Sequence, residues 1–473
     1  MPSVPLKTAF CLISLLAVCG CTVGPNYQRP KLATPAQFRA PEPLPPQQAA
    51  SIADAKWFEI FKDKQLQTLI RTALEKNYDL RAAAARVEAA RASLGITRSD
   101  QYPQFAASGG VDLNRFSRDG ATPIPPELLA SQNRNYGYVG LNLLSFEVDL
   151  WGKLRRATEA ARANLLSAEE NRQTVITTLV SDVATAYLSM RELDYELELS
   201  NETLETRQES LNLVKSRQSG GVATRLDMRQ AEQLVDTAAQ TIPVIEQQIE
   251  QTENQIHLLL GEPPGDVPRG RILTEQDFPP DVPPGLPSSL LERRPDIRAA
   301  EQDLIAANAE IGVARAEYFP QLSLSGFLGG QSTQLTNLIS GPTSAWTLAS
   351  QVAQPIFTAG RLKNNVRLAQ AQREEALVQY EQTIQTAFAE VSNSLIAHQR
   401  TRESREKQEA LVFALQDRTR LAYIRYRGGV DTQLDALDAD RDLFSAELQL
   451  SQIRLSELLT VVQLYKALGG GWQ

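Results

Sequence analysis

The chain is poor in the residues that most enzymes use. Among 473 residues there are two histidines, His257 and His398, and three methionines, Met1, Met190 and Met228. So few imidazoles and thioethers leave little for imidazole catalysis or for a thioether metal relay. All three cysteines, Cys11, Cys19 and Cys21, lie at the N-terminus. Beyond them neither a disulfide nor a thiol nucleophile can contribute. No GxxxxGK[ST] phosphate loop occurs, so any energy must come from a partner. No paired catalytic constellation is present either, and no metal-binding one. Past the N-terminal run no stretch reaches 18 uninterrupted apolar residues, which excludes a membrane-spanning helix in the mature chain. A basic excess is also missing. With 48 basic against 56 acidic residues the net charge is −8, which argues against nucleic acid or an anionic membrane surface as the main partner.

What is there begins with an apolar run, residues 8–20, behind the single basic residue Lys7. It is too short to span a bilayer as a mature helix. It ends in Val18-Cys19-Gly20-Cys21, which resembles a bacterial lipoprotein cleavage box. Residues 1–20 are then a signal peptide, and Cys21 is the acylated first residue of the mature chain. A covalent lipid on Cys21 is the one attached group expected, and no cofactor. The competing reading is an ordinary secretory signal with a chance cysteine.

The chain repeats itself, and a repeat is the most informative feature a sequence can carry. Asp79-Leu80-Arg81-Ala82-Ala83 recurs as Asp296-Ile297-Arg298-Ala299-Ala300 at an offset of 217, which also maps Gly95 to Gly312 and Tyr102-Pro103-Gln104 to Phe319-Pro320-Gln321. Further on the offset is 208: Gly152 meets Gly360, Gly220-Gly221-Val222 meets Gly428-Gly429-Val430, and Gly261 meets Gly469. The first copy therefore carries nine extra residues, placed in the Gly/Pro-containing loop Ser117–Asn133. A Pro/Gly-rich connector, Gly261–Ser289, joins the copies.

Each copy reads helix, strand pair, very long helix, tight turn, long helix. Residues 153–218 contain no glycine and no proline, and a helix of that length reaches roughly 100 Å. Ile176, Val183, Met190, Leu197, Leu204 and Leu211 keep a seven-residue step, as do Met228, Val235, Ile242, Ile249 and Ile256 after the turn. Sustained heptads mean long helices packed side by side. Pro243 is expected to kink or break the second helix. Periodicity alone equally allows a rod-like coiled coil.

The strands shift that balance. Phe105, Ala107, Gly109, Val111 and Leu113 alternate with polar or small residues, and so do Val139, Leu141 and Leu143; Leu322, Leu324, Gly326 and Leu328; and Trp346, Leu348 and Val352. Such alternation over about ten residues marks tilted strands with one side in lipid and one in water. It slips near Leu144–Phe146, where a bulge or the membrane boundary is expected. Four strands cannot close a barrel, and open edges cannot exist in hydrocarbon. Membrane strands here require an oligomer, a dimer with eight or a trimer with twelve. A soluble four-stranded sheet is the competing reading.

With these features in hand, the chain resembles the TolC-like outer-membrane factors, in particular the lipoprotein (OprM/NodT-like) branch serving resistance-nodulation-division (RND) efflux pumps. The landmarks are Cys21-Thr22-Val23-Gly24-Pro25-Asn26-Tyr27 with Arg29-Pro30, and Trp57 with Phe61 and Leu66. Asn77-Tyr78-Asp79-Leu80, Arg293-Arg294-Pro295-Asp296-Ile297 and Leu464-Tyr465-Lys466-Ala467-Leu468-Gly469-Gly470-Gly471-Trp472 complete them. Singly they are weak; in order, with the repeat, they are specific, and they run through nearly all of the mature chain. The resemblance implies an α+β membrane protein, a homotrimer whose twelve-stranded β-barrel continues into a long periplasmic α-helical barrel. The segments would be a lipidated linker (21–60), first-repeat helices (61–103), a first membrane hairpin (104–148) and a first long helical pair (149–260). The equatorial connector (261–289), second-repeat helices (290–320), a second hairpin (321–357) and a second helical pair with the C-terminus (358–473) follow.

The implied function is a passive outer-membrane exit duct for drugs or other small toxic compounds, gated at its periplasmic end and not an enzyme. The implied partners are two further copies, a periplasmic membrane-fusion adaptor, an inner-membrane RND pump and outer-membrane lipid. The turns at Gly220, Gly221, Val222 and Gly428, Gly429, Val430 let antiparallel helices reverse; the resemblance adds that they meet the adaptor. Asp438 and Arg441, spaced i, i+3, make an ordinary surface pair worth a few tenths of a kcal/mol. The resemblance places Leu434, Asp438 and Arg441 at a narrowed periplasmic entrance. The rival inside transport is the outer-membrane channel of a type I protein secretion system. From another class, a periplasmic coiled-coil scaffold predicts no barrel.

Overall fold

The computed structural model describes residues 22–31, 35, 37–40, 52–115, 133–276 and 287–470. Cys21, loop residues 117–132, connector residues 277–286 and the closing Gly471-Trp472 lie outside the described residues. In chain order the elements are α1 (Trp57–Ile60), α2 (Lys64–Lys76), α3 (Tyr78–Ser99), β1 (Phe105–Arg115) and β2 (Asn133–Val148). The long pair α4 (Lys153–Ser219) and α5 (Arg225–Leu260) follows, then α6 (Leu290–Arg293) and α7 (Pro295–Ala316). Strands β3 (Gln321–Ser332) and β4 (Ser344–Ala353) and the second long pair, α8 (Arg361–Arg427) and α9 (Gln433–Ala467), complete each repeat. Contacts divide the chain into two compact units, each drawn from both repeats.

The first unit is drawn from Met1–Pro30, Val87–Ser167 and Ala300–Tyr380. It carries one antiparallel sheet in the order β1-β2-β3-β4. Phe105 opposes Leu143 in the first hairpin and Leu328 opposes Trp346 in the second. Between β2 and β3 the register shifts between Leu143 and Phe146, the irregularity that the broken alternation announces. The apolar stripe of β1 is the exposed one, with Phe105 at 67% and Leu113 at 73%. Trp346 on β4 is 76% exposed. The alternate polar positions of β1 are half-covered, and there Asn142 donates across to Ser108 Oγ at 2.5 Å. Such a sheet, with an exposed apolar stripe and with its outer strands β1 and β4 paired on one side only among the described residues, is unsuited to water and to stand alone.

The second unit comprises Lys31–Arg86, Ala168–Ala299 and Glu381–Gln473. The heptad positions lie along its seams. Val183, Met190 and Leu211 of α4 are buried, as are Ile249 and Ile256 of α5, whereas Met228, Val235 and Ile242 are half-buried beside the buried Ala231, Ala238 and Ile245. Each long pair is joined by a small apolar cluster. Leu211, Val214 and Ala231 form one in the first copy; Val412, Ala446 and Leu450 form one in the second. Contrary to one expectation, α5 is not broken at Pro243. Pro243 and Ala239 sit on the exposed side, so the carbonyl that proline leaves without a donor is open to water. His257 is not a core residue but half-buried, its Nε2 3.4 Å from the Asp266 carbonyl.

The connector is clasped by Asp63, which caps α2. Its carboxylate accepts from the Gln65 and Arg271 amides, Tyr187 Oη and Gln276 Nε2 at 2.8–3.1 Å. Burial opposes its charge, yet these donors hold the carboxyl below its ordinary range.

Candidate functional site

The two turns at the far ends of the long pairs are built alike. Helix α4 stops where glycine permits a left-handed residue: Gly221 has φ +75°, and Gly429 after α8 has the same value. The Val222 amide donates to the Arg217 carbonyl at 2.9 Å and the Gly221 amide to Gln218 at 3.0 Å. In the second copy Val430 donates to Arg425 at 3.0 Å and Gly429 to Tyr426 at 3.1 Å. These are the paired bonds of a Schellman stop. Thr224 and Thr432 then open α5 and α9 through capping boxes with Asp227 and Asp435. Val222 and Val430 project into solvent at 77% and 67% exposure.

The residues expected to narrow an entrance fall on one face of α9. Leu434, Asp438 and Arg441 are spaced i, i+4, i+7, while Ala436, Leu437, Ala439 and Asp440 between them are buried. Asp438 and Arg441 are ion-paired at 3.1 Å, and Arg441 also reaches Asp442.

Three further ion pairs, not foreseen from sequence, surround this face. Arg418 of α8 binds Asp442 at 2.8 Å and holds its carboxyl below the ordinary range. Arg425 grips Asp431 across the turn at 2.5 and 2.8 Å. The third is buried: Arg207 of α4 donates to Asp440 of α9 at 2.7 Å and to the Leu234 carbonyl of α5 at 3.1 Å. Its guanidinium lies over the Phe444 ring, 4.9 Å from the centroid. Asp440 stands in the acidic run that the sequence displays, but no local spacing announces a partner 233 residues away. Two grooves flank the turns. One, about 420 Å³, lies between α4 and α8 and is lined by Glu209, Leu213, Arg420, Tyr423 and Arg427. The other, about 560 Å³, is charged, with Arg418, Arg425, Asp431, Asp435 and Asp438.

In the first unit, residues 22–30 form a strap. The Val23 amide donates to the Trp151 carbonyl at 3.0 Å, and Asn308 donates to the Pro25 carbonyl at 3.0 Å. Arg156 binds Asn26, and Tyr27 and Arg29 both bind Glu301. At Gly24 a Cβ would lie 2.5 Å from the Cα of Gly312, so two glycines permit the contact. Thr22 packs on Gly152, four residues after the end of β2. Trp151 stacks on Phe319 with centroids 4.7 Å apart and donates to the Pro320 carbonyl. It is a packing residue, as is buried Trp57.

Comparison with known proteins accounts for this arrangement. The sequence profile described as "Outer membrane efflux protein" matches residues 69–262 and 286–470, one segment in each repeat. The chain is 40% identical to the toluene efflux pump outer membrane protein TtgC of Pseudomonas putida, covering 96% of this chain and 93% of that protein. It is 34% identical to the cation efflux system protein CusC of Escherichia coli, over 98% of each. The open-state MtrE outer membrane channel of Neisseria gonorrhoeae superposes with a TM-score of 0.86 at 34% identity, covering 96% and 99%. The outer-membrane channel OprN superposes with a TM-score of 0.87 at 31% identity, covering 96% and 100%. The expected α+β, TolC-like fold class is borne out, and the chain belongs to the outer membrane efflux protein family.

Proposed function

We propose that this chain is one subunit of a trimeric outer-membrane duct through which an RND-type tripartite system expels small toxic compounds. The observation that carries this reading is the sheet. Among the described residues it has four strands, with β1 and β4 each paired on one side only, and an exposed apolar stripe. Three copies supply twelve strands and leave no edge in lipid. The relatives are named for toluene, solvent and antibiotic efflux pumps and for cation efflux. The scarcity of methionine and histidine favours organic cargo over a soft metal.

The anchor is a lipid on Cys21. The strap supports it, because Thr22 rests on Gly152 beside the end of β2, where an acyl chain enters the same leaflet as the sheet. One chain anchors only weakly, so the sheet and the lipid act together. The turns at Gly220, Gly221, Val222 and Gly428, Gly429, Val430 serve as docking tips for a periplasmic adaptor. Leu434, Asp438 and Arg441 form the gate: three copies bring an apolar ring and an acidic ring to one axis, and the acidic ring favours cations.

Deleting the gene and profiling growth against solvents, antibiotics and metal salts tests the reading. Sensitivity should rise for apolar organic compounds and be restored by the wild-type gene. Unchanged sensitivity across the panel, or loss of a secreted protein instead, overturns it.

A further inference from the structure

A group of polar side chains lies enclosed between α4 and α9 without a counter-ion. Glu192, Glu196 and Ser200 stand on successive turns of α4, opposite Ser451 and Gln452 of α9. Glu192 is 5% exposed, Glu196 8%, and both serines 0%. Gln452 Nε2 donates to Glu196 Oε1 at 3.1 Å. The Glu192 carboxyl lies within hydrogen-bonding reach of Glu196 and beside the Ser451 hydroxyl. Even so, among the described residues Glu192 Oε1 and Ser200 Oγ lack a hydrogen-bond partner.

The charged groups around this site are engaged elsewhere. On α4, Arg191 pairs with Asp194 and donates to the Arg271 carbonyl. Arg269 of the connector binds Asp194 and, on α5, Glu253. Arg405 of α8 binds Glu409 and Glu457, and Arg454 of α9 binds Glu409. Glu447, one turn before Ser451 on α9, adds only further negative charge. Among the described residues no cation pairs with Glu192 or Glu196.

Two carboxylates in contact cannot both stay ionised away from water without a cation between them. One proton resolves the conflict, since the acid form donates to its neighbour's oxygen and leaves a single charge. We propose that Glu192 and Glu196 are a one-proton binding site that clamps α4 to α9, tight when the proton is held and looser when it is lost. The same two helices are joined nearer the turns by Arg207 and Asp440. Any effect on opening rests on the gate reading, so the test reads the proton and the clamp directly.

Burial, and then the Glu196 carboxyl, push Glu192 up to about 8. This is above the unfolded value of about 4.3. A raised folded value means the contribution is complete below the unfolded value and is lost as pH rises through about 8. Infrared spectra of the purified full-length protein should show a carboxylic-acid C=O band that disappears as pH rises through about 8. Glu192→Gln should abolish that band. Beyond what Glu192→Gln shows, thermal midpoints of the wild type should fall between about pH 5 and about pH 8 and level off above that. No titrating band in the wild type overturns the proposal whether or not the variant assembles, and so does an equal fall in the variant. A wild type with no acid band at neutral pH, stabilised at alkaline pH by added sodium or calcium, overturns it in favour of a metal-cation site.

Discussion

The two copies of the repeat end in the same turn and differ in what surrounds it. Both stop a 67-residue helix with a left-handed glycine and restart with a threonine capping box. At an offset of 208, however, Asp438 and Arg441 stand where the first copy has Gln230 and Gln233. Asp442 replaces Leu234 and Asp431 replaces Ala223. Arg207 reverses the pattern, for its counterpart in the second copy is Leu415, packed on an apolar cluster. What the copies share is architecture; where they part, ion pairs tie the second copy's α9 to its neighbours. The candidate gate lies on that helix.

The largest expected effect comes from the buried ion pair between copies, Arg207 with Asp440. Arg207→Ala strands the Asp440 carboxylate and should cost about 3–5 kcal/mol, read as a lower thermal midpoint of the assembled protein. The double change Arg207→Leu with Asp440→Leu, which makes the site apolar as at Leu415, should recover most of it. A single variant as stable as the wild type would remove the cross-tie from the account. Next come the turns. Gly221→Val and Gly429→Val force a branched side chain into left-handed backbone, although open space surrounds each position. Each should lose roughly 1–2 kcal/mol, and by similar amounts in urea unfolding. Unequal losses would mean that the turns are not equivalent.

A smaller contrast should appear with acid. Hydrogen bonds from Arg418 and Arg425 hold Asp442 and Asp431 below the ordinary carboxylate range. Depressed folded values mean a contribution present above the unfolded value of about 3.9 and lost as pH falls through the lower folded one. Spin labels at Val430→Cys should therefore gain mobility below about pH 4, while labels at Val222→Cys should not. Equal responses would erase the distinction between the copies.

Much of this was legible in the sequence because it is local. A long run free of glycine and proline reads as helix, and paired glycines read as the turn between antiparallel helices, whereas the capping boxes of Thr224 and Thr432 came only from the structure. Apolar alternation around Phe105 and Leu113 predicts strands, and its slip near Leu144 predicts the irregular pairing of β2 and β3. Helical spacing puts Leu434, Asp438 and Arg441 on one face, but only the resemblance singled the three out. What could not be read depends on contacts between distant segments. Arg207 and Asp440 are 233 residues apart, and nothing near either names the other. The same holds for Glu192 facing Ser451 and for Gly24 resting on Gly312. Pro243 shows a related limit: the sequence allows a kink or a break, and whether a proline breaks a helix depends on which side it faces, which only packing decides.

The central claim is that the regulated element is the second copy's α9, through the pair at Asp438 and Arg441. Planar-bilayer conductance of Asp438→Ala with Arg441→Ala, set beside Gln230→Ala with Gln233→Ala, tests it most directly. The account predicts a leak of ions through the first variant, with reduced cation preference, and wild-type conductance in the second. Unchanged conductance in the first variant, or equal leaks in both, would contradict it.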